Sequence, residues 1–86
     1  MEVTLQEYAA SNLGRLLEAT GISQSEMGRI VDVSRVQISR ILHGHSGISL
    51  DTCQAIAEHF GLPINALCQA PHQFEKLIKE ISAQHA

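Results

Sequence analysis

Apolar residues recur every three or four positions along this 86-residue chain, and no stretch alternates apolar and polar long enough to make a half-buried strand. The pattern predicts an all-α fold. Leu5, Ala9, Leu13, Leu16, Leu17 and Thr20 keep helical spacing up to Gly21, behind the capping box Thr4-Leu5-Gln6-Glu7. Gly14 weakens that helix by about 1 kcal/mol relative to alanine. Ser23-Gln24-Ser25-Glu26 and Ser34-Arg35-Val36-Gln37 repeat the box so closely that only two short helices fit, the first through Val31 and the second to Leu42 or His43. A tight turn at Asp32-Val33 joins them, and Gly44 stops the second.

After a polar loop at 43–47, Ser49 caps a helix carrying Leu50, Cys53, Ile56, Ala57 and Phe60, with Gly61 placed to end it. Residues 64–68 fit one more turn. Pro71 opens a last helix in which Phe74, Leu77, Ile78 and Ile81 fall at i, i+3, i+4 and i+7. Its outer face pairs Glu75 with Lys79 and Lys76 with Glu80 at i, i+4.

The closely spaced caps impose a steep corner, which needs apolar side chains inside it and one position without bulk. Counting Gln24 as the first place, the inward positions are the fourth, eighth, tenth, fifteenth and eighteenth, occupied by Met27, Val31, Val33, Ile38 and Ile41. The fifth, where the helices come closest, is Gly28.

Composition narrows the picture. At 44% apolar and 17% charged, with 6 Gly and 2 Pro, the chain reads as one globular domain with an aliphatic core, since Tyr8, Phe60 and Phe74 are its only aromatics. It lacks a membrane-length apolar run and a basic-then-apolar leader, so a soluble, cytoplasmic protein is expected. Cys53 and Cys68 are too few for a disulfide framework and too far apart for a CxxC pair. Buried free thiols in a reducing compartment are the expectation, against a redox or metal role.

The net charge of −3 hides an uneven distribution. Residues 15–45 contain all four arginines, Arg15, Arg29, Arg35 and Arg40, against Glu18, Glu26 and Asp32. Residues 33–48 contain two arginines, two histidines and no acid. The counts predict a small basic face on an acidic body.

From about Asn12 to Cys68 the chain resembles the Cro/C1-type, phage-repressor-like helix-turn-helix family (XRE). The resemblance is carried by Ile22-Ser23-Gln24-Ser25-Glu26-Met27-Gly28, by the run from Ser34 to Gly44, and by Ile56-Ala57-Glu58-His59-Phe60-Gly61-Leu62. It implies a five-helix domain, placed over 1–69 with its motif at 23–44, and double-stranded DNA as partner, while the extra amphipathic helix at 70–86 lies beyond the match. It also implies a homodimer on a near-palindromic operator. Three places depart from the family pattern: Asp32 replaces a frequent turn glycine, Leu17 and Leu42 stand where several members carry an ion pair, and His43 replaces a common asparagine.

On the second helix of the motif, Ile38, Ile41 and Leu42 cluster on one side, and Val36, Ser39, Arg40 and His43 on the other, with Arg35 and Gln37 flanking. Such a helix enters the major groove and reads base edges with its N-terminal residues. Ser34, Arg35, Val36, Gln37 and Arg40 are the expected base readers. Arginine suits guanine, glutamine suits adenine, and the valine methyls suit a thymine methyl. Gln24, Ser39, His43 and His45 are the expected phosphate contacts.

Other chemistry has thin support. His43-Gly44-His45 is an HxH with no ligand placed to complete a metal site, and no nucleophile elbow or phosphate-cradling glycine loop occurs, so neither metal nor cofactor nor catalysis is expected. The Phe74-Leu77-Ile78-Ile81 stripe can join two chains, meet another partner or serve the domain's own core. Dimerisation is the use assigned to it. The competing function is an antitoxin or anti-repressor, a protein-interaction module on the same fold.

Overall fold

The computed structural model describes the backbone of residues 5–85 and the side chains of residues 7–81. Serine hydroxyls set where its inner helices begin. Ser23 Oγ accepts from the Glu26 N–H at 3.1 Å, Ser34 Oγ from the Gln37 N–H at 3.0 Å, and Ser49 Oγ from the Thr52 N–H at 3.1 Å. These open α2 (Gln24–Val31), α3 (Arg35–Leu42) and α4 (Leu50–Phe60), between α1 (Leu5–Thr20) and α5 (Pro71–His85). Thr4, expected to cap α1, lies outside the described residues, as do the side chains of Leu5 and His85. No strand occurs among the described residues.

The turn expected at 64–68 is shorter than an α-helical one. It is a 3₁₀ turn at Ala66–Cys68, in which Asn65 offers no side-chain cap and the Cys68 N–H bonds the Asn65 carbonyl at 3.0 Å. Pro71 follows so closely that the residue before it is biased away from helical geometry, and the chain restarts as α5.

One aliphatic core runs through all five helices. Leu13 and Leu16 of α1, Met27 of α2, Ile38 of α3, Ile56 of α4 and Leu67 of the 3₁₀ turn are buried in one cluster. Phe74, Ile78 and Ile81 are buried in the same cluster and Leu77 is half-buried against it, because α5 packs along α1. Of the stripe expected to dimerise, Phe74, Ile78 and Ile81 are thus taken up by their own chain's core, the other use open to them, and Leu77 keeps part of its surface exposed. Residue 70 lies between the 3₁₀ turn and α5, both of which contribute to the one core.

Polar groups reinforce the α1/α5 side. The buried Asn12 amide donates to the Leu67 carbonyl at 2.9 Å and the Gln69 carbonyl at 2.7 Å, tying α1 to the chain just before α5. Arg15 forks onto Glu75 of α5, Nε to Oε2 at 2.9 Å and Nη2 to Oε1 at 2.8 Å, with Glu18 3.9 Å away. Hydrogen bonding from Arg15 holds the Glu75 carboxyl below its ordinary value. Burial pushes the Cys53 thiol up to about 11, helped by the neighbouring Cys68 thiol. Both cysteines are free, and the fold brings together two thiols that are distant in sequence.

Candidate nucleic-acid interface

The corner between α2 and α3 is built as tightly as its spacing demands. Met27, Val31, Ile38 and Ile41 are buried inside it, and Val33 is half-buried against them. A Cβ on Gly28 would lie 2.6 Å from the Val33 carbonyl oxygen and 3.4 Å from the Arg35 nitrogen, both rigid backbone. The Gly28 carbonyl in turn accepts from the Asp32 and Val33 N–H groups. Asp32 provides the left-handed residue of the turn at φ 58°, a conformation that short polar side chains tolerate better than most.

Because Ile38 and Ile41 lock α3 to the core, its other side must face outward. Ser34, Arg35, Val36 and Arg40 are exposed there, and Gln37 is half-buried on the flank. Val36 is 59% exposed, unusual for a valine inside a helix whose inner side is well packed. The Arg35 guanidinium makes no hydrogen bond or ion pair with any described residue. The Arg40 guanidinium meets one neutral partner, donating from Nε to Ser46 Oγ at 3.1 Å. The structure thus brings the five expected base readers together on one element.

The expected phosphate contacts are more dispersed. Gln24 is half-buried at the first position of α2, whose N-terminal N–H groups point outward above the Ser23 cap. Ser39, His43 and His45 gather at the far end of α3, where the His43 and His45 rings stack with centroids 6.3 Å apart. His43 Nδ1 lies 2.8 Å from the Ser39 carbonyl oxygen. A carbonyl only accepts, so Nδ1 carries the hydrogen, and Nε2 can donate to a phosphate only in the imidazolium form.

Two features were not evident from the chain alone. Arg15, counted with the basic segment, belongs to the α1/α5 side and is paired there with Glu75, so it adds nothing to the α3 face. Ser46, assigned no role by pattern, holds Arg40. The signal for it was Gly44, whose positive φ turns the chain back over α3.

Elsewhere, a cleft lined by Thr20, Ile22, His59 and Phe60 contains a single imidazole, packed edge-on against Phe60 at 4.8 Å. No three His, Cys, Asp or Glu side chains converge among the described residues, and no described helix is long and apolar enough to cross a membrane. The helix-turn-helix family model matches residues 13–67, which span α2, α3, α4 and the second half of α1. No curated protein and no solved structure matches the chain.

Proposed function

Because the chain belongs to the Cro/C1-type helix-turn-helix family, and is thereby a DNA-binding regulator, we propose that it is a repressor acting as a homodimer on a near-palindromic operator. In this reading α3 lies in the major groove, with Arg35, Val36, Gln37 and Arg40 at base edges, while Gln24 and the Ser39, His43 and His45 cluster grip phosphates. One observation carries the reading: the outer face of α3 presents Val36 at 59% exposure beside an Arg35 with no partner among the described residues. Uncompensated cations around an open methyl pair suit a surface that meets phosphates, guanine edges and thymine methyls.

The dimer needs apolar surface, and Phe74, Ile78 and Ile81 of the α5 stripe are buried in their own chain. Leu50 at 70% exposure and Ile64 at 54% are the large apolar side chains left open away from α3 among the described residues, and we assign the contact to them. On such an operator the two α3 helices would lie about one helical turn, ~34 Å, apart. Replacing Leu50 and Ile64 with Glu is expected to give monomers in sedimentation, and an undisturbed dimer would refute that assignment.

The protein-interaction module remains a second reading, favoured by the same exposed Leu50 and Ile64. A footprint on DNA flanking the chain's own gene separates the two. Two protected half-sites one turn apart support the repressor. Absence of protection at low salt, together with co-purification of a neighbouring gene's product, supports the module.

A further inference from the structure

The chain that leaves α3 folds back over it. The Gly44 N–H donates to the Ile41 carbonyl at 3.1 Å and the His45 N–H to the Arg40 carbonyl at 2.8 Å, the paired bonds of a Schellman motif, with Gly44 at φ 76°. The Ser46 N–H adds a 3.3 Å bond to that same Arg40 carbonyl, and Ser46 Oγ accepts from Arg40 Nε at 3.1 Å. Ser46 therefore grips Arg40 at two points, its main chain and the inner nitrogen of its guanidinium.

We infer that Ser46 is a positioning residue for DNA reading: by holding Nε, it presents the two terminal nitrogens of Arg40 outward as a two-pronged donor for a pair of acceptors on duplex DNA. The inference rests on the proposal that α3 reads DNA.

The guanidinium is planar, so fixing Nε restricts the plane of the whole group and leaves the Nη1 and Nη2 edge available. That edge fits guanine O6 and N7, or two phosphate oxygens. A flexible arginine loses rotamer freedom when it binds, and one already held loses less. The partner's chemistry matters equally. A hydroxyl orients the group without cancelling its charge, whereas Glu75 neutralises Arg15 in the α1/α5 seam. A carboxylate at position 46 would hold Arg40 just as well and oppose the phosphates.

The test is selection from a pool of randomised DNA duplexes with the full chain, comparing wild type, Arg40→Ala, Ser46→Ala, Ser46→Thr and the double variant Arg40→Ala/Ser46→Ala. Far-UV circular dichroism checks that helicity is retained. Ser46→Ala is expected to weaken binding by roughly 2- to 10-fold, as for one side chain left unfixed. Ser46→Thr restores the binding, and Ser46→Ala changes nothing further once Arg40 is alanine. If Arg40 meets guanine, both single alanine variants lose preference at the same base position. If it meets phosphate, they weaken retention of the whole pool evenly and flatten the salt dependence. A Ser46→Ala profile identical to wild type, when Arg40→Ala is altered, overturns the positioning role alone. An Arg40→Ala profile identical to wild type overturns Arg40's place in the reading face and the inference with it.

Discussion

The α1/α5 seam and the outer face of α3 both carry arginine, and the two regions treat it in opposite ways. In the seam Arg15 is held by both carboxylate oxygens of Glu75, Asn12 meets two backbone carbonyls, and Phe74, Ile78 and Ile81 fill the space beneath. On α3 Arg35 has no described partner, Arg40 has a neutral one, and Val36 stands open to solvent. A region that closes its hydrogen bonds internally gains stability and has little left to offer a ligand. A region that leaves donors and methyls open does the reverse, provided that its inner side is anchored well enough to hold it still.

That contrast can be broken in several places. Phe74→Ala should cost most, about 3–5 kcal/mol, because it opens a cavity in the shared core. The loss should appear in denaturant melts and be independent of protein concentration, since the ring is covered by its own chain. A concentration-dependent loss would return the α5 stripe to an interface between copies. Asn12→Ala should cost about 1–3 kcal/mol in the same melts, as the Leu67 and Gln69 carbonyls lose their donor. Arg35→Ala should leave those melts unchanged while weakening binding to the selected duplex by about 1–3 kcal/mol.

Two glycines sharpen the comparison further. Gly28→Ala should destabilise by about 1–3 kcal/mol, because its new methyl meets backbone that cannot yield. Gly14→Ala should stabilise by up to about 1 kcal/mol, since its methyl falls at an ordinary 3.7 Å from Leu42 Cδ2 and helix propensity improves. Melting shifts of opposite sign would separate a glycine required by close approach from one that is merely tolerated. The smallest effect belongs to Glu75→Gln. Arg15 holds the Glu75 carboxyl below its ordinary value, so its contribution is present above the ordinary carboxylate range and lost as pH falls through the lowered value. The variant should melt slightly lower than wild type at neutral pH and converge with it in acid.

The legible part of the fold is the part decided within a few residues. Each serine cap bonds an N–H three positions on, and Gly44 and Gly61 close their helices through bonds spanning five residues or fewer. The α2/α3 corner is almost as local: Gly28 and the apolar places around it stand close enough in sequence that spacing alone identifies the near approach and the outward side of α3. The exposure of Arg35, Val36 and Arg40 on that side follows from the same geometry.

Contacts between distant residues were not legible. The Asn12 and Arg15 bonds to the α5 side each cross more than fifty residues. The meeting of Cys53 with Cys68, and the enclosure of the α5 stripe, also depend on how whole helices pack. An amphipathic helix has the same periodicity whether its apolar side meets a neighbour or a second copy, and an arginine has the same charge whether or not a carboxylate reaches it. By itself the sequence determined the helices, the corner and the outward side of α3, because short-range bonds and side-chain period specify them. Tertiary structure alone decided which arginine is neutralised, where α5 buries its stripe and that Ser46 reaches Arg40, because those outcomes depend on distances between elements that local patterns do not encode.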